Sequence, residues 1–94
     1  MSDPVELSID TTEARLAASR INGACRSIAD AVLTLASASA ALRASWHGPE
    51  ADAFFAQTVR LVTQLGLCAE RGATLGGRLR REIDAWERIA CELE

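Results

Sequence analysis

Lysine and tyrosine are missing altogether from this chain of 94 residues, histidine occurs once, and proline occurs twice. With no lysine, all ten basic residues are arginine, set against thirteen acidic ones for a net charge of -3 and a pI near 5.1. That balance argues against a general affinity for nucleic acid or anionic lipid, which requires an excess of positive charge. A lone histidine, His47, cannot build a metal cluster. Three cysteines, at positions 25, 68 and 91, show neither a CxxC nor a metal-ligand spacing, so they read as small buried thiols. No uninterrupted apolar run approaches the length of a bilayer span, and the acidic, polar start lacks the regions of a cleavable leader. The chain is therefore expected to be made in the cytoplasm, without membrane insertion, and any export needs a leaderless route. No glycine-rich loop follows a strand pattern, so phosphate cradles are not expected either.

What is present is apolar and helical. Nearly half of the residues (49%) are hydrophobic, in a chain of one domain at most. Residues 1–9 carry Pro4 and read as extended or frayed. Asp10, Thr11, Thr12 and Glu13 then read as a helix start, with Asp10 as N-cap and Glu13 reaching back in a capping box. Counting by sevens sets Leu7, Ala14, Ile21, Ile28, Leu35 and Leu42 on one row. The neighbouring row holds Thr11, Ala18, Cys25, Val32, Ser39 and Trp46. Together they predict a coiled-coil-like seam along a first helix at about 10–45. A row of small residues, Ala17, Ala24, Ala31 and Ala38, runs beside it, while Arg15, Arg26 and Asp30 are assigned to a solvated face.

Trp46, His47, Gly48 and Pro49 stop this pattern. Proline removes a donor and disfavours the α region in the residue before it, so the pair cannot lie inside a helix. It suits a helix start, with Glu50 and Asp52 at the positive end of the dipole. The reading is a turn at 46–49 and a second helix at about 49–92. That helix carries three apolar rows: Phe55, Val62, Ala69, Gly76, Ile83 and Ala90; then Thr58, Leu65, Gly72, Leu79, Trp86 and Leu93; then Phe54, Leu61, Cys68, Leu75 and Ile89, broken by Glu82.

Three rows exceed what one partner helix can hide. One should face the first helix, another a different molecule. The candidate interface is drawn from Phe55, Leu61, Val62, Leu65, Cys68 and Ala69 in the first half, with Gly72, Leu75, Gly76, Leu79, Ile83 and Trp86 in the second. The glycines among them are open to two readings, a close-packing stripe for a partner or a weak, kinked segment. Folding about residues 47–48 would set Cys25 near Cys68. Arg78, Arg80 and Arg81 read as a salt-bridged face, with nucleic-acid binding as the weaker alternative. A Cys–His nucleophile pair is ruled out within one chain, because the cysteines sit far along the helices from His47. The expectation is a non-enzyme without metal or cofactor.

Trp46, His47 and Gly48, followed by Ala51, Ala53 and Phe54, resemble the WXG family of small secreted helical hairpins. The likeness extends to chain length, the mid-chain motif, the Ile9–Asp10 entry to the first helix and the missing leader. It implies an all-α, antiparallel four-helix bundle of two hairpins, as a homodimer or as a heterodimer with a WXG paralogue. It further implies export by a type VII (ESX-like) system whose ATPase recognises the folded dimer, to the cell surface or beyond. Trp46, Gly48, Ala51 and Phe54 are the positions that match the family's motif. Exported members carry a C-terminal tyrosine followed four residues later by Asp or Glu. Here Trp86 is the nearest substitute, and Ala90 stands four residues on. That leaves the signal to a partner, to residues beyond Glu94, or this member unexported. The alternative is a cytosolic chaperone or scaffold hairpin for a larger type VII effector. The lysine-free, alanine-rich composition suits a GC-rich, actinobacteria-like genome.

Overall fold

A computed structural model describes residues 11–93. It consists of two long antiparallel helices, α1 (Thr11–Arg43) and α2 (Pro49–Leu93), packed side by side, with no strand among the described residues. Asp10, Leu7, Ile9 and the proposed N-cap lie outside the described residues. The turn is built as its residue types dictate. The Ser45 and Trp46 amides both donate to the Leu42 carbonyl, at 3.0 Å each, which closes α1. Gly48 adopts φ 120°, a conformation that side-chain-bearing residues rarely adopt. Its carbonyl then accepts the Asp52 amide at 3.0 Å, opening α2 with Pro49 in the first helical position.

The two counted rows of α1 face α2: Thr11, Ala14, Ile21, Cys25, Ile28, Val32, Leu35 and Ser39 are half-buried, and Ala18 is fully buried. Leu42 departs from its row, at 41% exposed, because the chain is already turning away there. On α2 the buried residues are Ala51, Phe55, Thr58, Ala69, Gly76 and Ile83. The glycines are close-packing positions within this chain, and α2 runs through Gly76 and Gly77 without interruption. A Cβ on Gly76 would lie 2.7 Å from Asn22 Oδ1 and 3.3 Å from Ile21 Cγ2, and one on Gly72 would overlap Cys25 Sγ. Cys25 therefore packs against Gly72, one helical turn beyond the expected Cys68, and all three cysteines are free. Cys68 and Cys91 are exposed, which corrects their reading as buried thiols.

Gly72→Ala gains helix propensity of about 1 kcal/mol but collides with the Cys25 thiol. The two sites should be coupled by about 1 kcal/mol or more. Denaturant melts should show Gly72→Ala less destabilising in a Cys25→Ala background than alone.

The molecule measures 69 × 20 × 14 Å with a radius of gyration of 21.0 Å, where a compact chain of this length would have about 12 Å. Its accessible surface is 7425 Å², against about 5,200 Å² for a compact monomer of 10.0 kDa. Among the described residues no large side chain is fully buried. The seam has a line of small contacts where a globular protein has a core.

Candidate functional site: the turn and the outer face of α2

Three aromatic rings meet at the turn. Trp46 lies 5.4 Å from Phe54 and 5.7 Å from Phe55, and the two phenylalanines stand edge to face at 5.5 Å. The guanidinium of Arg43 caps Phe55 at 5.3 Å, a cation–π contact at the end of α1. Phe55 is 3% exposed and Ala51 1% exposed, so both are buried within the first two turns of α2. Trp46 is half-buried, whereas Phe54 turns outward. His47 is exposed.

From Phe54 an unpaired apolar row runs the length of α2. Phe54, Leu61, Leu75 and Ile89 are 43%, 47%, 59% and 50% exposed, and Cys68 is exposed between them. This is the third row of the heptad count. The other two rows turn toward α1 until the last turns, where Trp86 and Leu93 emerge into solvent. The twelve candidate interface residues therefore divide. Phe55, Ala69, Gly76 and Ile83 are buried against α1; Val62, Leu65, Gly72 and Leu79 are half-buried; Leu61, Cys68, Leu75 and Trp86 are open. A shallow concavity lined by Gln64, Leu67, Cys68, Arg71, Gly72 and Leu75 sits at the middle of the outer row.

The two sides of the hairpin differ. On one side Asn22, Ala29 and Leu33 of α1 face Gly66 and Ala73 of α2 across a groove of ≈ 560 Å³. The same side carries Arg15, which bonds Asp84 at 2.7 Å and Glu87 at 2.6 and 2.9 Å. The outer row of α2 lies on the opposite side, by its angular offset from those residues. There α1 contributes Ala17, Ala24, Ala31 and Ala38, all exposed. That second side is two helices wide and holds one charge in its rows, Glu82.

Arg15 is solvent-exposed, as its assignment to a solvated face expects, yet it does not lie opposite the seam. It sits seven residues before Asn22 and three before Ala18, so it borders the seam and can reach across it. These are the ion pairs among the described residues, and they latch the end of the hairpin far from the turn. The hydrogen bond from Arg15 holds the Glu87 carboxyl below the usual carboxylate range, with help from Thr11, against a smaller opposing effect of desolvation. A carboxylate with a depressed pKa stabilises the fold above its unfolded pKa and ceases to do so as pH falls through the folded value. Thermal melts of the wild type and Glu87→Gln should therefore differ at neutral pH and converge only as acidification passes below the usual carboxylate range.

Family models, curated proteins and solved structures yield no match to this chain. No group of three or more His, Cys, Asp or Glu able to hold a metal occurs among the described residues.

The helix α1 is long and apolar enough, by length and composition, to cross a membrane, contrary to the expectation from uninterrupted runs. Residues 31–42 explain the difference. They contain no charge, and the scattered serines and threonine break the run without lowering its average much. The inward face of that stretch lies on α2.

Proposed function

We propose that this chain is a non-enzymatic, WXG-type subunit of a type VII (ESX-like) secretion system, acting through dimerisation into an antiparallel four-helix bundle. The observation that carries the reading is the outer row of α2. It is a helix-long apolar stripe open to solvent on a hairpin with almost no core of its own. A stable interface buries about 800 Å² on each partner, and the surface excess of this chain is more than twice that. A second hairpin laid on that face would cover Phe54, Leu61, Leu75 and Ile89 and supply the missing core. The motif positions suit the same reading: Gly48 makes the turn, Ala51 packs beneath it, and Trp46 with Phe54 forms an aromatic end for a bundle.

Sedimentation and thermal melts over a range of concentrations test the dimer. The expected result is association beyond 10 kDa with a melting temperature that rises with concentration. A cooperative, concentration-independent melt of a monomer would overturn it. Export is tested in the native host, by assaying culture medium alongside a cytosolic lysis marker. Release without lysis supports a secreted subunit. Retention in cells that do release neighbouring type VII substrates supports instead a cytosolic chaperone or scaffold.

A further inference from the structure

We infer that the back of α2, the side turned away from α1, is a docking stripe for an acidic polypeptide segment of another protein. Beyond the outer row, two neighbouring heptad rows of α2 carry Arg60, Arg71, Arg78, Arg81 and Arg88, all exposed. Half of the chain's ten arginines gather there, and the two rows hold no carboxylate from residue 53 to residue 91. On a chain with a net charge of -3, that is a local field of the opposite sign. The reading of Arg78, Arg80 and Arg81 as a salt-bridged face does not hold, since the ion pairs among the described residues are those of Arg15. Arg60 and Arg71 have no Asp or Glu three or four residues away, the spacing at which helix side chains meet. Arg81 and Arg88 both have Asp84 at that spacing, but Arg15 holds Asp84 at 2.7 Å. Glu82 and Glu92, four residues beyond Arg78 and Arg88, lie outside ion-pair distance of them.

The shape of the stripe selects the class of partner. Glu82 borders it on one side and Glu70 and Asp84 on the other, so the positive face is about one helix diameter, ~10 Å, in width. Along the helix it runs about 40 Å from Arg60 to Arg88. A bilayer or a nucleic-acid duplex laid over it would also press on the bordering carboxylates, whereas a single polypeptide segment fits between them. The two rows offer no aromatic ring on which bases could stack. They do offer Leu67, 45% exposed between Arg60 and Arg71, as an apolar contact. Arginine forks bind carboxylates two bonds at a time. Arg71, Arg78, Arg81 and Arg88 are spread over about 26 Å, which calls for several carboxylates on one chain and not for a single small anion. A second hairpin laid on the outer row would leave Arg60, Arg81 and Arg88 open, because they occupy the row farther from that contact. The inference therefore does not depend on the dimer.

The probe is a fluorescent peptide of about twenty residues, long enough to cover the four clustered arginines, made of glutamate with one central leucine. Titrated with the full chain at about 50 mM salt, its anisotropy should rise, and the affinity should fall severalfold at about 200 mM. Arg78→Gln/Arg81→Gln should weaken binding about fivefold, as expected for two exposed pairs. The charge-matched Arg20→Gln/Arg26→Gln on α1 should leave it within about twofold. Glutamine and arginine have similar helix propensities, so circular dichroism and sedimentation of both variants should match the wild type. Leu67→Ser should bring the leucine peptide down to the affinity of an all-glutamate one. Absence of binding at the lower salt, or equal losses from the two arginine pairs, would overturn the stripe as a site. Tighter binding of a short DNA duplex or of phosphatidylserine vesicles, weakened by Arg78→Gln/Arg81→Gln, would overturn the polypeptide partner and assign the stripe to phosphate.

Discussion

Trp46→Ala is expected to cost about 2.5–3.5 kcal/mol while leaving both helices formed. Truncating a fully buried tryptophan costs about 3–5 kcal/mol, but Trp46 is half-buried, so roughly half of that applies. Its two ring contacts, at 5.4 and 5.7 Å, add about 1 kcal/mol beyond area burial. The loss falls on closure of the turn end, since Trp46 links the end of α1 to Phe54 and Phe55 in the first turns of α2. Melts followed by far-UV circular dichroism at one fixed protein concentration would measure it. Pairing the variant with Phe55→Ala tests the assignment. The double variant should lose less than the sum of the two singles, because each removes the other's contact. An unchanged melting temperature for Trp46→Ala would mean that the ring contributes nothing to closure and is held for recognition by another molecule.

The helical layout was readable because it depends on local, periodic signals. The spacing of Ala18, Cys25 and Val32 sets the angle at which α1 meets its neighbour, and the glycine–proline pair marks the break within a residue or two. The axial offset between the helices was not readable. It depends on how the backbone rises through residues 44–48, including the positive φ of Gly48, and that rise places Gly72 rather than Cys68 against Cys25. Arg15 shows a second limit. Its row borders the seam, yet nothing local says that a long guanidinium will cross to Asp84 and Glu87 on a helix some seventy residues away. At the candidate site, three apolar rows could be counted on α2, but which of them stays open followed only once α1 had been set down. Four of the twelve interface candidates were then accounted for by burial inside the chain.

The open row supports the most disruptive test of partner binding. Leu61→Asp and Leu75→Asp together should leave the hairpin helical and abolish its association with a second hairpin. Both side chains are exposed in the single chain, at 47% and 59%, so the charges remain hydrated and folding of the hairpin itself loses little. In a bundle each would lie inside the apolar interface, where an unpaired carboxylate costs several kcal/mol. Two such sites weaken association by a factor of at least about a thousand, taking about 2 kcal/mol or more for each. Sedimentation should then show the 10 kDa species, with helicity near that of the wild type at high protein concentration. The melting temperature should become independent of concentration, and lower, because the partner no longer stabilises the fold. Leu33→Asp is the matched control: it is 69% exposed on α1, beside the groove on the opposite side. It should leave association unchanged. If Leu33→Asp disrupts association while the Leu61 and Leu75 substitutions do not, the groove beside Gly66 and Ala73 is the docking face, and the outer row of α2 is solvent-facing in the assembled protein as well.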